Sequence, residues 1–225
     1  MLALLCAATA LALQPAPQVI KPNFKAGQEF RFQASAEMTF AGEKATVSTK
    51  YRVKIVEVRA DGGFLIEAVE TESKARMGGQ DMTMPPKNPG RTLYRADGMP
   101  MSLMGEGTDA TGYRFAHLNA FRYPTEEVAP GAKWTAKVEA AKTGQVAGSG
   151  EYEYLGNETV GAIECAKVRF AFKESEGAQP AEADGWFWIS LEDGWIVKVI
   201  RNVKNAPVGN SPTPVSVSST VERVQ

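Results

Sequence analysis

Apolar and polar residues alternate with a period of two along most of the chain. Phe30, Phe32, Ala34, Ala36, Met38 and Phe40 share one parity, with Glu29, Arg31, Gln33, Ser35, Glu37 and Thr39 on the other. That is the pattern of a long strand with one buried and one wet face. Val47, Thr49, Tyr51, Val53 and Ile55 repeat it against Ser48, Lys50, Arg52 and Lys54, and the apolar parity flips at Val56 and Val58. One extra residue in a strand produces such a flip, so a bulge is expected near Ile55-Val56. Asp61-Gly62-Gly63 turns the chain into a strand over 64–71, and Asp97-Gly98 joins strands over 92–96 and 99–104. Alternation over 133–140, 149–155, 162–173, 185–191, 195–204 and 214–224 brings the set to about ten strands separated by Gly, Asp and Asn turns. A second parity slip falls near Ala166, between Ile163 and Cys165 on one side and Val168, Phe170 and Phe172 on the other.

Helix is scarce. Only 114–121 carries the i, i+3 spacing, through Phe115, Leu118 and Phe121. A helix that short is unstable alone and must pack on the sheet.

The two halves open alike, with Ala26-Gly27-Gln28-Glu29-Phe30 and Pro130-Gly131-Ala132-Lys133-Trp134. Each continues through alternating strands and Gly-containing turns, and neither buries its sheet face alone. The expected fold is therefore all-β: a curved antiparallel sheet or incomplete β-barrel of two related meanders, with at most one short helix. One domain spans 26–225, its halves 26–105 and 130–225 joined by 106–129, after an extended segment over 13–25.

The stretch DGWFWISLEDGW, residues 184–195, decides where the tryptophans go. A two-residue Asp193-Gly194 turn puts polar groups into both faces of the hairpin. A three-residue loop over 192–194, with Gly194 left-handed, pairs Leu191 with Trp195 and gathers Phe187, Ile189, Leu191, Trp195, Val197 and Val199 on one face. The second register is expected, since a one-residue slip spoils the core face. It sends Trp186 and Trp188 to the other side with Ile196, Lys198 and Ile200, and sets Lys198 across from Trp188 for a cation–π contact. An apolar surface of that kind calls for a cover, from another layer of the protein or from a ligand.

The 225 residues are 44% hydrophobic and 23% charged, with a formal net charge of −1. With no basic stripe, nucleic acid is not an expected partner. Residues 2–12 are apolar, and Ala10-Leu11-Ala12 has the small-x-small form of a signal-peptidase site. The run falls short of the about 20 apolar residues of a spanning helix. A signal peptide over 1–12 is expected, hence export to the periplasm or beyond and no transmembrane span. The missing positive charge near Met1 points to a start codon farther upstream, and Leu5 stands where a lipid anchor on Cys6 would want a small residue. After cleavage Cys165 remains alone, so no internal disulfide holds the fold, and its strand-like setting reads as a small buried apolar residue.

Catalytic patterns are missing. His117 is the only histidine, and the sequence has neither a Gly-x-Ser-x-Gly elbow nor a Walker loop. Glu151 and Glu153 alternate with Tyr152 and Tyr154, as on the wet side of an amphipathic strand. No enzyme activity, cofactor or metal is expected. Six of the eight methionines lie between Met77 and Met104. Thioethers are soft Cu(I) ligands, but His and Cys are missing nearby; loop packing, or a groove that adapts to apolar ligands, are the other readings.

Phe121-Arg122-Tyr123-Pro124 with Val128-Ala129-Pro130-Gly131-Ala132-Lys133-Trp134 resembles the segment between the halves of certain exported bacterial β-proteins of unknown function. The run from Gly156 to Gly161 followed by Cys165, and Trp188 followed by Asp193-Gly194 and Val197-Lys198, match the same style. The overall form resembles LolA-like half-barrels and other periplasmic lipid-handling proteins. That resemblance implies a curved sheet with an apolar concave face and supplies no catalytic residues. The expected role is thus binding of an apolar or amphiphilic ligand, lined by Trp186, Trp188, Ile196 and Ile200 with Met82, Met84, Met99, Met101 and Met104. Alternatives are sugar rings stacked on the paired tryptophans, or a structural domain docked on an envelope partner. An apolar cavity below about 300 Å³ would favour the structural reading.

Overall fold

The computed structural model describes residues 17–40, 43–85, 87–105, 107–141, 146–207 and 215–224. The expected signal peptide lies outside them. Twelve strands form one antiparallel sheet: β1 (Glu29–Phe40), β2 (Glu43–Val58), β3 (Phe64–Met77), β4 (Gln80–Thr83), β5 (Gly90–Tyr94), β6 (Pro100–Met104), β7 (Lys133–Val138), β8 (Gly148–Val160), β9 (Ile163–Glu174), β10 (Glu182–Ser190), β11 (Ile196–Lys204) and β12 (Ser216–Val224). Among the described residues one helix, α1 (Ala110–Asn119), lies between β6 and β7. Spatial order is β6-β5-β3-β2-β1-β12-β11-β10-β9-β8-β7, with β4 on the far part of β3. The sheet does not close, and the halves join edge to edge where β1 pairs with β12 from Arg31↔Val224 to Thr39↔Ser216.

Its curvature is written in one aromatic contact. Phe64 on β3 and Trp195, just before β11, have ring centroids 5.9 Å apart. Four strand spacings separate β3 from β11 in the sheet, on the order of 19 Å if it were flat. Only a sheet curled about its inner face brings those rings together. Phe24, from the segment before β1, fits between them at 4.8 Å from Phe64 and 5.3 Å from Trp195.

The inner face carries the main core: Phe30, Phe32, Val53, Ile55, Phe64, Tyr152, Phe170, Phe187, Ile189 and Val199 are all buried there. Two segments outside the sheet fill it. Residues 17–27 cross as a strap, with Ile20 and Phe24 buried, Gln18 bridged to Val128, and Asn23 N–H donating to the Asp193 carbonyl at 3.0 Å. The connection after α1 inserts Phe121 and Tyr123, and Phe121 packs on both Tyr152 and Phe187.

The bulge expected near Ile55-Val56 is present, with the register shifting between Ile55 and Glu57. The slip near Ala166 has a different cause. No shift interrupts the β9–β10 ladder, and the irregularity falls on β8 between Tyr154 and Gly156. Ile163 and Cys165 pack in a small outer cluster, whereas Ala166, Val168, Phe170 and Phe172 belong to the inner core. A strand that buries one end on each face shows a parity slip without a bulge. The β4 hairpin was not expected; it turns through Gly78 and Gly79, both with positive φ.

The β10–β11 hairpin keeps the expected register over Trp186↔Ile200, Phe187↔Val199 and Trp188↔Lys198. Nearer the turn it departs from it. Ser190 N–H donates to the Trp195 carbonyl, and Gly194 N–H to the Ser190 carbonyl, which closes a four-residue loop over 191–194. The register shifts by one between Trp188 and Ile189, so Ile189 pairs with Ile196 and Val197 is the extra residue. This exchanges two side chains relative to expectation. Val197 joins Trp188 and Cys165 outside, and Ile196 packs against the inner core. Gly194 is left-handed as expected, at φ 72°. A Cβ there would stand 2.0 Å from the Lys21 carbonyl of the strap.

Candidate functional site

The nine residues expected to line one ligand surface are not brought together. Trp188 is on the outer face but sealed, 5% exposed, among Cys165, Val197, Ile163 and Ile200. Lys167 and Lys198 cover its ring at 5.0 and 5.8 Å and are themselves paired with Glu158 and Glu222. The Lys167 ammonium beside Glu158 holds that carboxyl below the usual range. Trp186 remains open at 37% exposure, in a separate outer groove. Ile196 and Met99 pack against the inner core. Met82 borders a third groove across β12, β1, β2, β3 and β4, while Met84 and Met101 are exposed. Met104 alone of the set lies on the groove described next. Strand alternation assigns faces, but it does not say which rows a curled sheet brings together.

That groove, about 500 Å³, opens between the inner face of the first half and α1. Tyr51, Ala68, Thr92 and Leu103 form its floor, in register through Ala68↔Gly90 and Thr92↔Leu103, and Phe115 of α1 forms its roof. Tyr51 stacks on Phe32 at 5.2 Å, which fixes the wall ring. Lys87 and Glu70 stand at the rim, and Arg91 beside them is paired with Glu67 at 2.7 Å.

α1 is capped at its N-terminus and tied to the sheet through two adjacent residues, Tyr113 and Arg114. Asp109 caps it, accepting from Gly112 N–H at 2.9 Å. The Tyr113 hydroxyl accepts from Leu103 N–H on β6 at 3.3 Å. Across the opening, Arg114 makes a two-pronged ion pair with Glu174 of β9 at 2.8 and 2.6 Å. Glu174 is buried and also accepts from Ala181 N–H at 2.7 Å. Tyr113, His117 and Leu118 are the buried residues of the helix, and Phe115 is 51% exposed. The expected stripe of Phe115, Leu118 and Phe121 is thus corrected: α1 starts earlier and stops at Asn119, so Phe121 lies beyond it and Phe115 off its buried face. An aromatic left outside the buried stripe was the signal for this groove.

The interior also holds two arginines with no ion pair among the described residues. Arg122 is 2% exposed, its Nη2 lies 3.4 Å from His117 Nδ1, and its Nη1 has no partner among the described residues. Burial lowers its pKa from the usual guanidinium value. Arg201, opposite Gly185 and Ser219 on the inner face, donates to Ser219 Oγ at 3.1 Å, and burial pulls its pKa down to about 10. Cys165 is fully buried, and burial pushes its thiol up to about 11. Among the described residues no group of three or more His, Cys, Asp and Glu side chains is placed to hold a metal ion, and no helix is long and apolar enough to cross a membrane.

No protein-family model matches the chain, and no curated protein matches it in sequence. Solved structures do align with it. A Bacteroides fragilis protein taken to be exported, with a YmcC-like fold, is 14% identical with a TM-score of 0.39, over 92% of this chain and 97% of its own. A Parabacteroides distasonis protein taken to be a lipoprotein is 14% identical with a TM-score of 0.34, over 93% and 98%. The hypothetical lipoprotein YmcC of Escherichia coli K12 is 10% identical with a TM-score of 0.34, over 84% and 86%.

Proposed function

We propose that this is a non-catalytic exported protein that binds an amphiphile, with the apolar chain lying in the groove beneath α1 and the polar end at the Lys87 rim. The observation that supports this reading is Phe115, half exposed and lining the same groove as Leu103 and Tyr51, on a helix tied to β6 through Tyr113 and to β9 through Arg114. An aromatic ring roofing an apolar floor offers a chain contacts that water does not, and each methylene buried there contributes about 0.8 kcal/mol. The groove of about 500 Å³ also exceeds the size at which a purely structural role would be the better reading. The test is titration with a lysophosphatidylcholine below its micellar concentration, followed by calorimetry and native mass spectrometry. One bound molecule is expected, with affinity at least tenfold weaker in Phe115→Asp and Leu103→Asp. Absence of binding, or equal binding by both variants, would overturn it.

The second reading, a β domain that serves only to dock on a partner, is favoured by the self-filled interior around Phe121, Tyr123 and Trp195. It predicts no lipid bound under the same conditions.

A further inference from the structure

On the outer face of the second half, the cross-strand register builds a different kind of surface. One row runs Thr135↔Glu151↔Ala171↔Asp184↔Asn202 across β7 to β11, and the next runs Lys133↔Glu153↔Arg169↔Trp186↔Ile200. Ala171 is thus a small exposed floor between Glu151 and Asp184. Two strand spacings put those two backbone positions on the order of 10 Å apart. The row between them, Trp134, Tyr152 and Phe170, turns its side chains to the inner core, and its backbone with Gly185 lines a groove of about 520 Å³ between the two outer rows. Trp186 stands in its wall.

Charge on this surface is unevenly satisfied. Arg169 is paired with Glu153, and Lys173 with Glu182 at 2.6 Å. The carboxylates of Glu151 and Asp184, both exposed, have no ion pair or hydrogen bond among the described residues. So two unengaged carboxylates flank a small floor, with an open indole two residues along β10 from Asp184 and paired cations close by.

We propose that this groove binds a neutral saccharide of about disaccharide size. The apolar C–H face of a sugar ring would cover the Trp186 indole, which offers a large, stiff contact area. Sugar hydroxyls would donate to Glu151 and Asp184, and hydrogen bonds to ionised acceptors are the stronger kind. The charged rows on both sides disfavour an alkyl chain. The site is independent of the groove under α1, which opens on the opposite face of the sheet.

The test is a screen of the protein on an array of neutral oligosaccharides, followed by calorimetric titration of the strongest binder. Spermidine is titrated in parallel. Binding of a neutral glycan is expected, at least tenfold weaker in Trp186→Ala and in the double variant Glu151→Gln/Asp184→Asn, and unchanged in Phe115→Asp. All the replaced side chains are exposed, and an unchanged melting temperature verifies that each variant is folded. No glycan binding, glycan binding indifferent to both outer-face variants, or binding of spermidine alone would each overturn the assignment.

Discussion

The Tyr123 hydroxyl donates a hydrogen bond of 2.7 Å to the carbonyl of Gly194. It ties the connection between the halves to the turn of the β10–β11 hairpin. Asp193, one residue earlier, accepts from Asn23 of the strap through its carbonyl and from Arg223 of β12 through its carboxylate. Three segments far apart in sequence therefore converge on one turn and hold the inner face shut at that end.

Tyr123→Phe keeps the ring and leaves the Gly194 carbonyl buried without this donor. The expected loss is about 1–2 kcal/mol of unfolding free energy, read as a lower denaturant midpoint at constant slope. A change within a few tenths would show that another donor replaces the hydroxyl.

Gly194→Ala should be worse. The residue has φ 72°, and the added Cβ would meet the Lys21 backbone at 2.0 Å, where no flexible side chain can move aside. The strap must lift, so proteolysis within 17–27 should become fast in the variant and stay slow in the parent protein.

Arg114→Ala leaves the buried Glu174 carboxylate with Ala181 N–H as its remaining hydrogen-bond donor among the described residues, and removing one member of such a pair costs roughly 3–5 kcal/mol when both are fully buried. Arg114 is partly exposed, so the smaller end of that range is expected, with α1 amides exchanging faster than those of β9. Equal protection of α1 in parent and variant would show that the helix does not depend on this pair.

Alkaline pH should destabilise the protein. Burial pushes Tyr51 and Tyr94 up to about 12, and Tyr123 and Tyr152 higher still. An unfolded tyrosine ionises near 10. The folded values stand above the unfolded one, so this contribution is complete below pH about 10 and is lost as pH rises toward 12 and beyond. Circular dichroism against pH should show unfolding beginning above 10, while tyrosinate absorbance stays low until it does.

Cys165 should not react with a thiol reagent at pH 8 in the folded state, because it is fully buried and its thiol is pushed up to about 11. It should react at once after denaturation. Stoichiometric labelling of the native protein would contradict the packing of the Trp188 cluster.

Alternation alone was enough to determine the all-β class, most strand positions, the bulge at Val56, the left-handed Gly194 and the placement of Trp186 and Trp188 away from the main core. These follow from local rules: a strand's side chains alternate, and a turn with positive φ wants glycine. The parity near Ala166 was also visible, but its meaning was not, because a bulge and a change of buried face leave the same trace. Tertiary structure alone decided the rest. It shifted the hairpin register by one at Val197, which exchanged the faces of Val197 and Ile196, and it placed Lys167 and Lys198 over Trp188 so that an apolar ring became a sealed one. It also separated Met82 from Met104 and raised Phe115 over Leu103. The physical reason is curvature. Which residues share a groove depends on how far the sheet curls and on what crosses its inner face, and both are set by long-range packing of Phe24, Phe64 and Trp195 rather than by any local run of the chain.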